Sequence, residues 1–170
     1  LPSGSGASFA AQHSQSLEAW FAHTPGLIVV MPSTPSDAKG LLKTAIRCED
    51  PVIFIEHKAL YSTIGPVPKQ EQTIPLGKAE IKKKGEDITI VATSRQVLNA
   101  LKAAKNLLGE GIDAEVIDPR TLVPLDMDTI YKSVQKTNHV IVVHEAVQTC
   151  GIGAEIGMRI VENCFDYLDA

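Results

Sequence analysis

Residues 27–57, LIVVMPSTPSDAKGLLKTAIRCEDPVIFIEH, carry one complete strand, helix, strand reading. LIVVM is a short apolar, β-branched run closed by Pro32, the pattern of a strand buried on both faces. Ser33 or Thr34 then offers a cap, with Pro35 at an early helical position and Asp37 in the first turn, where its charge favours the helix dipole. Ala38, Leu41, Leu42, Ala45 and Ile46 recur at helical spacing and predict one apolar face. Pro51 follows the helix, and PVIFIEH at 51–57 reads as a second strand.

Outward from this unit the alternation repeats. Upstream, residues 1–12 are rich in Gly, Ser and Ala and read as a loop. SQSLEAWFAH at 14–23 spaces Leu17, Trp20 and Phe21 as a helix that Pro25-Gly26 ends. Downstream, about 60–86 is rich in Pro and Lys and reads as a linker with a short strand near 77–81. The pattern then restarts: ITIVAT at 88–93, a helix over 95–108 stopped by Gly109-Glu110-Gly111, and AEVID at 114–118. A helix over 126–136, HVIVVHE at 139–145 and a helix over 154–163 complete it. Strands alternating with helices across short connections predict α/β architecture, with parallel sheets covered by helices on both faces. Residues 1–60 read as the end of one domain, 61–86 as the linker and 87–170 as most of a second domain.

Of the 170 residues, 44% are hydrophobic and 21% charged, and the formal net charge is -4. That balance suits a soluble protein able to bury a core. The densest basic run, Lys82-Lys83-Lys84, lies beside Glu80 and Glu86, so no nucleic-acid or anionic-membrane footprint is expected. No apolar run approaches the roughly 20 residues that span a bilayer. Cys48, Cys150 and Cys164 are odd in number and far apart, which fits neither a disulfide framework nor a zinc spacing and points to a reducing compartment. Leu1 in place of Met, and an ending that reads as the approach to a further strand, suggest a piece of a longer polypeptide.

The common chemical motifs are absent: there is no dinucleotide fingerprint after a strand, no Walker A sequence, no HExxH pair and no GxSxG elbow. The glycines of GIGAEIG, 151–157, read as allowing a helix start to pack close to a strand end. His13, between a Gly/Ser-rich loop and a helix, sits where a side chain can project into a cleft, although a helix-flanking polar role suits it as well. His23 at the far end of that helix reads as a partner of terminal carbonyls. His57 and His139 flank strands and read as surface or edge residues. His144 and Glu145 end a strand, where α/β sheets place ligand sites.

Four stretches, AAQHSQSLEAWFAHTPGLIVVMPSTPSDAKGLL, AIRCEDPVIFIEHKALY, DPRTLVPLDMDTI and HEAVQTCGIGAEI, resemble in this order the beta subunits of pyruvate, branched-chain 2-oxo acid and acetoin dehydrogenase complexes. The resemblance covers essentially all 170 residues. It implies a transketolase-like fold, with 1–60 ending the pyrimidine-binding domain and 87–170 forming most of the C-terminal domain. It further implies a thiamine-diphosphate-dependent 2-oxo acid dehydrogenase of the pyruvate type, working as an alpha2beta2 heterotetramer with an alpha subunit and delivering acyl groups to a lipoyl-bearing acyltransferase. The cofactor's organic chemistry is its own, while protein groups orient it and manage protons. By resemblance His13 is the catalytic histidine, a role suited to an unperturbed pKa of about 6.5, and Gln12 and Ser14 support it beside the cofactor. AIRCEDP matches a potassium-binding segment of several relatives: backbone oxygens of Ala45, Ile46 and Cys48 and a carboxylate oxygen of Asp50 are the implied ligands, with Cys48 standing where the relatives have Asp. The glutamate that activates the cofactor's pyrimidine falls upstream of Leu1, and magnesium and diphosphate would be held by the alpha subunit. The implied compartment is the bacterial cytoplasm or the mitochondrial matrix. Arg120 in DPRTLVPLD reads as a structural cation where chain segments meet. A different class of reading makes the chain a non-catalytic assembly module, and acetoin is the alternative substrate.

Overall fold

The computed structural model of the chain describes residues 1–5 and 8–169; Gly6, Ala7 and Ala170 lie outside them, so the loop expected over 1–12 is described only in part. The first half contains β1 (Pro2–Ser3), α1 (Glu18–Ala22), β2 (Ile28–Val30), α2 (Pro35–Arg47), β3 (Val52–Phe54) and β4 (Glu56–His57), followed by a 3-10 turn at Lys58–Leu60. The second half runs β5 (Glu80–Lys83), β6 (Ile88–Ala92), α3 (Arg95–Gly109), β7 (Ala114–Asp118), β8 (Thr121–Val123), α4 (Met127–Thr137), β9 (Val140–Val143), α5 (Ile152–Cys164) and a 3-10 turn at Phe165–Tyr167.

The central sheet has the order β5-β7-β6-β9, and a smaller one the order β3-β2-β8. Strands β7, β6 and β9 run parallel, as do β2 and β3, in agreement with the strand and helix alternation. Each sheet also carries one antiparallel edge strand, β5 on β7 and β8 on β2. Strand β8 was not expected: three residues between Arg120 and a proline give no alternation long enough to read. The strand expected near 77–81 falls at Glu80–Lys83. PVIFIEH is two strands, because Ile55 turns inward between β3 and β4 and is 1% exposed; β4 then leaves its sheet and pairs in parallel with β1.

Local chemistry sets the helix ends. Thr34 Oγ1 accepts the Asp37 amide at 3.1 Å with Pro35 behind it, a cap of the kind that contributes about 1 kcal/mol. Asp126 caps α4 through the Thr129 amide, and Asn138 ends it in the left-handed conformation. The apolar face of α2 is narrower than its spacing suggests. Leu41 is fully buried, but Leu42 and Ile46 face outward, Ile46 being 75% exposed. Helix α1 is shorter than expected and starts after Leu17, so Ser14 is not its cap. Trp20 on it is 71% exposed, whereas Glu18 is buried.

One core joins the halves: Val29, Met31 and Ile55 pack with Val91, Ile117, Ile130, Val134 and Ile156. Each such fully buried aliphatic contributes about 1.5–3 kcal/mol relative to an exposed position.

Candidate active site

Strand β4 ends at His57 and β9 at Val143, so the carboxyl ends of strands from both halves converge where α/β sheets put their ligand sites. There His57 Nε2 lies 2.6 Å from Glu145 Oε2. The other ring nitrogen, Nδ1, accepts the Ala59 amide at 3.1 Å. A nitrogen that accepts carries no proton, so Nε2 holds it and donates to Glu145. Gly4 lies flat against the ring: a Cβ there would fall 2.6 Å from His57 Cε1, and its φ of +118° is open only to glycine. His57 is 3% exposed. This corrects its reading as a surface or edge residue, since strand β4 turns inward onto the second half. His139 is exposed, as expected.

Glu18 joins this group from α1. Burial pushes its carboxyl above the usual range; a bond to its own backbone opposes that, Glu145 reinforces it and His57 offsets it. Among the described residues its Oε2 has no hydrogen-bond partner, so the neutral acid is favoured there. Ser5 Oγ donates to the Glu145 carbonyl at 3.0 Å. His144, one residue earlier, is half-buried with its pKa lowered by burial. Two glycines at the start of α5 explain themselves against it: a Cβ on Gly153 would sit 2.6 Å from the His144 ring, and one on the capping Gly151 2.7 Å from it, whereas one on Gly157 would meet nothing within 4 Å.

Two openings lie near this group, one of them lined by Glu145. A cleft of about 420 Å³ is lined by Glu145, Ser14, Gln15, Leu17, Trp20 and Val147 among others. A cavity of about 130 Å³ is lined by Gln12, His13, Gln15, Ile55 and Lys58 with the first residues of the chain. Gln12 and His13 thus share one opening, Ser14 belongs to the other, and Gln15 borders both. His13 is exposed, and its backbone carbonyl accepts from the Lys58 ammonium. The Ser14 hydroxyl accepts the Phe9 amide at 2.5 Å. His23 closes α1 through its backbone, its N–H donating to the Ala19 carbonyl.

Residues 45–50 line neither opening. The Ala45 carbonyl accepts the Cys48 amide at 3.3 Å; Cys48 is half-buried and Ile46 and Asp50 exposed. Among the described residues no three His, Cys, Asp or Glu side chains gather as a metal cluster.

A separate buried network joins α2, β5 and the end of β7. Ser33 Oγ donates to Asp118 at 2.5 Å, and Lys82 Nζ lies 2.6 Å from Asp37, 2.5 Å from Glu80 and 3.8 Å from Asp118. Arg120, at φ +59°, donates to the Lys78 carbonyl at 3.0 Å and to Glu80 at 3.2 Å. Burial pushes the Asp118 carboxyl up to about 7 against the pull of Lys82 and Ser33. Burial also acts to raise Asp37, yet Lys82, Thr34 and Arg120 outweigh it and hold that carboxyl below the usual range. Arg120 therefore meets carbonyls and carboxylates at a chain junction, the contacts its place in the sequence suggested.

Sequence reasoning missed His57 and Glu18. Neither sits in a motif with chemical meaning of its own, and each gains importance only through the fold that closes the two halves on each other.

The transketolase pyrimidine binding domain matches residues 1–63 and the transketolase C-terminal domain residues 77–170. The chain is 51% identical over 167 residues to the acetoin:2,6-dichlorophenolindophenol oxidoreductase subunit beta of Bacillus subtilis, covering 98% of this chain and 49% of that protein. It is 49% identical over 169 residues to the pyruvate dehydrogenase E1 component subunit beta of Chlorokybus atmophyticus, covering 99% and 50%. Among solved structures it is similar to a split-gene transketolase described as an inactive beta4 tetramer, with a TM-score of 0.80 at 27% identity over 96% of this chain and 52% of that one. The chain spans about half the length of the curated relatives it matches. With two consecutive domains of one architecture matched along its length, the chain belongs to the transketolase family.

Proposed function

We propose that this chain is the cofactor-proximal and C-terminal portion of the beta subunit of a thiamine-diphosphate-dependent 2-oxo acid dehydrogenase, acting with an alpha subunit and delivering acyl groups to a lipoyl-bearing acyltransferase. The observation that carries the reading is the identity of about one half, spread over 98–99% of the chain, to subunits named for pyruvate and acetoin oxidation. The domain division proposed is 1–60, 61–86 and 87–170. A compartment of bacterial cytoplasm or mitochondrial matrix accords with relatives from bacteria and with mitochondrial forms.

The fit of the cofactor is a question of size and donors. The cavity beside Gln12 and His13 is about 130 Å³, below the roughly 300–1,000 Å³ of complete small-molecule sites. An imidazole and a carboxamide at its wall can meet one polar edge of a heterocycle. The chain therefore suits the role of one wall, with a partner chain completing the site and supplying the groups for magnesium and diphosphate. Bound there, the cofactor would supply the carbanion chemistry of decarboxylation. His13 would hold or move a proton at an imidazole nitrogen, Gln12 would orient the bound ring edge, and Ser14 would fix the loop through Phe9.

Residues 45–50 are proposed to take potassium. Carbonyls at a helix end, with the carboxylate of Asp50, are the hard oxygen donors a group I cation prefers, and Cys48 would contribute its backbone oxygen rather than its soft thiol. A melting temperature of the complete subunit that rises in potassium relative to sodium checks this; equal response removes it.

The test of the main reading is turnover of pyruvate, branched-chain 2-oxo acids and acetoin by the complete protein with its partner chain. Thiamine-diphosphate-dependent acylation of a lipoyl domain by a 2-oxo acid is expected. Acetoin oxidation alone would move the substrate to acetoin, for which the Bacillus subtilis relative is named. No turnover with any of them would favour an assembly module, a reading that the outward-facing Trp20, Val147 and Ile64 make specific.

A further inference from the structure

We infer that Lys58, held in place by His57, is a positioning residue for His13. The inference rests on the proposed reading in which His13 acts in catalysis.

His13 lies in a turn at residues 11–13, between β1 and α1, and is exposed. Where that ring sits therefore depends on how the backbone at residue 13 is held. The His13 amide donates to the Ala10 carbonyl at 3.3 Å, and Ala10 is itself in the left-handed region at φ +63°. That contact is internal to the loop, as is Gln15 Nε2 on the Ala11 carbonyl at 2.8 Å. Gly4 ties the loop to β1 through its amide on the Gln15 carbonyl at 3.1 Å, two residues past the histidine. At residue 13 itself, the bond from the Lys58 ammonium to the carbonyl links the loop to the folded body. Its donor is charged, so it is stronger than an ordinary amide bond.

Lys58 is placed by its neighbours rather than by its own flexible stem. It opens the 3-10 turn Lys58–Leu60, and His57 Nδ1 caps that turn by accepting the Ala59 amide. The His57 ring is fixed in turn by Glu145 at 2.6 Å and by the Gly4 backbone against its face. A path of hydrogen bonds, joined by the covalent link between Ala59 and Lys58 in the short turn, thus runs from the loop after β9 through the buried ring to the backbone of His13. The second half of the chain, by way of Glu145, contributes to the placement of a side chain in the first.

A misplacement of about 1 Å can cost on the order of 10²-fold in rate. The test uses the complete protein assembled with its partner chain, as Lys58→Met, Lys58→Arg and His13→Ala. Lys58→Met is expected to lower kcat by about 10- to 100-fold with little change in KM, and Lys58→Arg, which keeps the charged donor, to restore most of it. In cofactor-free protein, the rate at which diethyl pyrocarbonate modifies His13 is expected to change severalfold in Lys58→Met, while the exposed His23 and His139 react unchanged as internal references. Normal kcat in Lys58→Met alongside an impaired His13→Ala overturns the inference and leaves the catalytic reading standing. A fully active His13→Ala overturns the catalytic reading, and the modification rate then decides the placement by itself. A loss of kcat that Lys58→Arg does not restore, with an unchanged His13 modification rate, also overturns the inference.

Discussion

The hydroxyl of Ser33 lies 2.5 Å from a carboxylate oxygen of Asp118, a buried contact between the connection from β2 to α2 and the end of β7. It brings a carboxyl from the second half beside Asp37 and Lys82, and burial lifts that carboxyl to about 7. A carboxyl raised on folding binds its proton more tightly in the folded state. Its contribution is complete below the unfolded value of 3.8 and is lost as pH rises through about 7. Asp37, shifted the other way, loses its contribution only as pH falls through the acid range, and Lys82, raised from 10.5, holds its own until alkaline pH. Between about pH 4 and 7 stability should therefore fall with rising pH by up to about 1.4 kcal/mol per unit from this group, and level off above that range. Asp118→Asn should flatten that slope relative to the parent. Denaturant titrations of both proteins at several pH values check it, and parallel slopes would show that Asp118 ionises normally.

Glu18 gives a second stability prediction of similar logic. Glu18 is 1% exposed, one of its carboxyl oxygens has no partner among the described residues, and its pKa is raised chiefly by burial. Ionisation thus works against the fold as pH rises, and an unpaired buried polar group costs about 1–3 kcal/mol. Glu18→Gln keeps the shape and removes the charge. It should leave stability nearly unchanged in acid and raise the melting temperature at pH 8. A variant less stable at pH 8 than the parent would mean that the carboxylate is ionised and paired.

The glycines separate into those the fold needs and those it does not. A Cβ on Gly85 would fall 2.3 Å from the Ala114 carbonyl carbon and 2.4 Å from the Glu115 amide, backbone that cannot yield. A Cβ on Gly109, in the last turn of α3, would meet nothing within 4 Å. Gly85→Ala should cost more than about 3 kcal/mol, whereas Gly109→Ala should stabilise by about 0.5–1 kcal/mol through reduced unfolded-chain freedom. Urea midpoints of the two variants test the contrast.

Periodicity was enough to read most of the framework because long, strongly patterned elements such as α3, β6 and β7 commit locally. It failed at Leu42 and Ile46, where helical spacing cannot say how wide a stripe the neighbouring sheet covers. It failed again at β8, a three-residue strand whose pairing with β2 is decided by the fold around it. The same limit governs the site. His13 and Gln12 are legible through resemblance, and Glu145 through its place at a strand end. His57 gains a hydrogen-bond partner from 88 residues away along the chain, and Glu18 a neighbouring carboxylate from 127 residues away, a relationship no local window contains.

His13 offers the most decisive measurement on the proposed chemistry. The exposed ring contributes no packing that the fold depends on, so His13→Ala should leave the melting curve of the complete protein within about 1 kcal/mol of the parent, as a helix-flanking polar residue would. If a partner chain and residues outside this chain hold the cofactor, its binding should also persist. The loss should fall on proton management. A positioned acid or base contributes typically about 10² to 10⁴-fold, so overall activity should drop by that order, roughly 3 to 5 kcal/mol of barrier. The two half-reactions should divide: decarboxylation followed with an artificial electron acceptor should suffer less than acyl transfer to a lipoyl domain, because a proton must be supplied to sulfur as the dithiolane opens. Equal losses in both would move His13 to a general orienting role. Near-normal rates in both, with an unchanged melting curve, would leave His13 a loop residue and return the search for a catalytic group to Glu145 and the cleft beside Trp20.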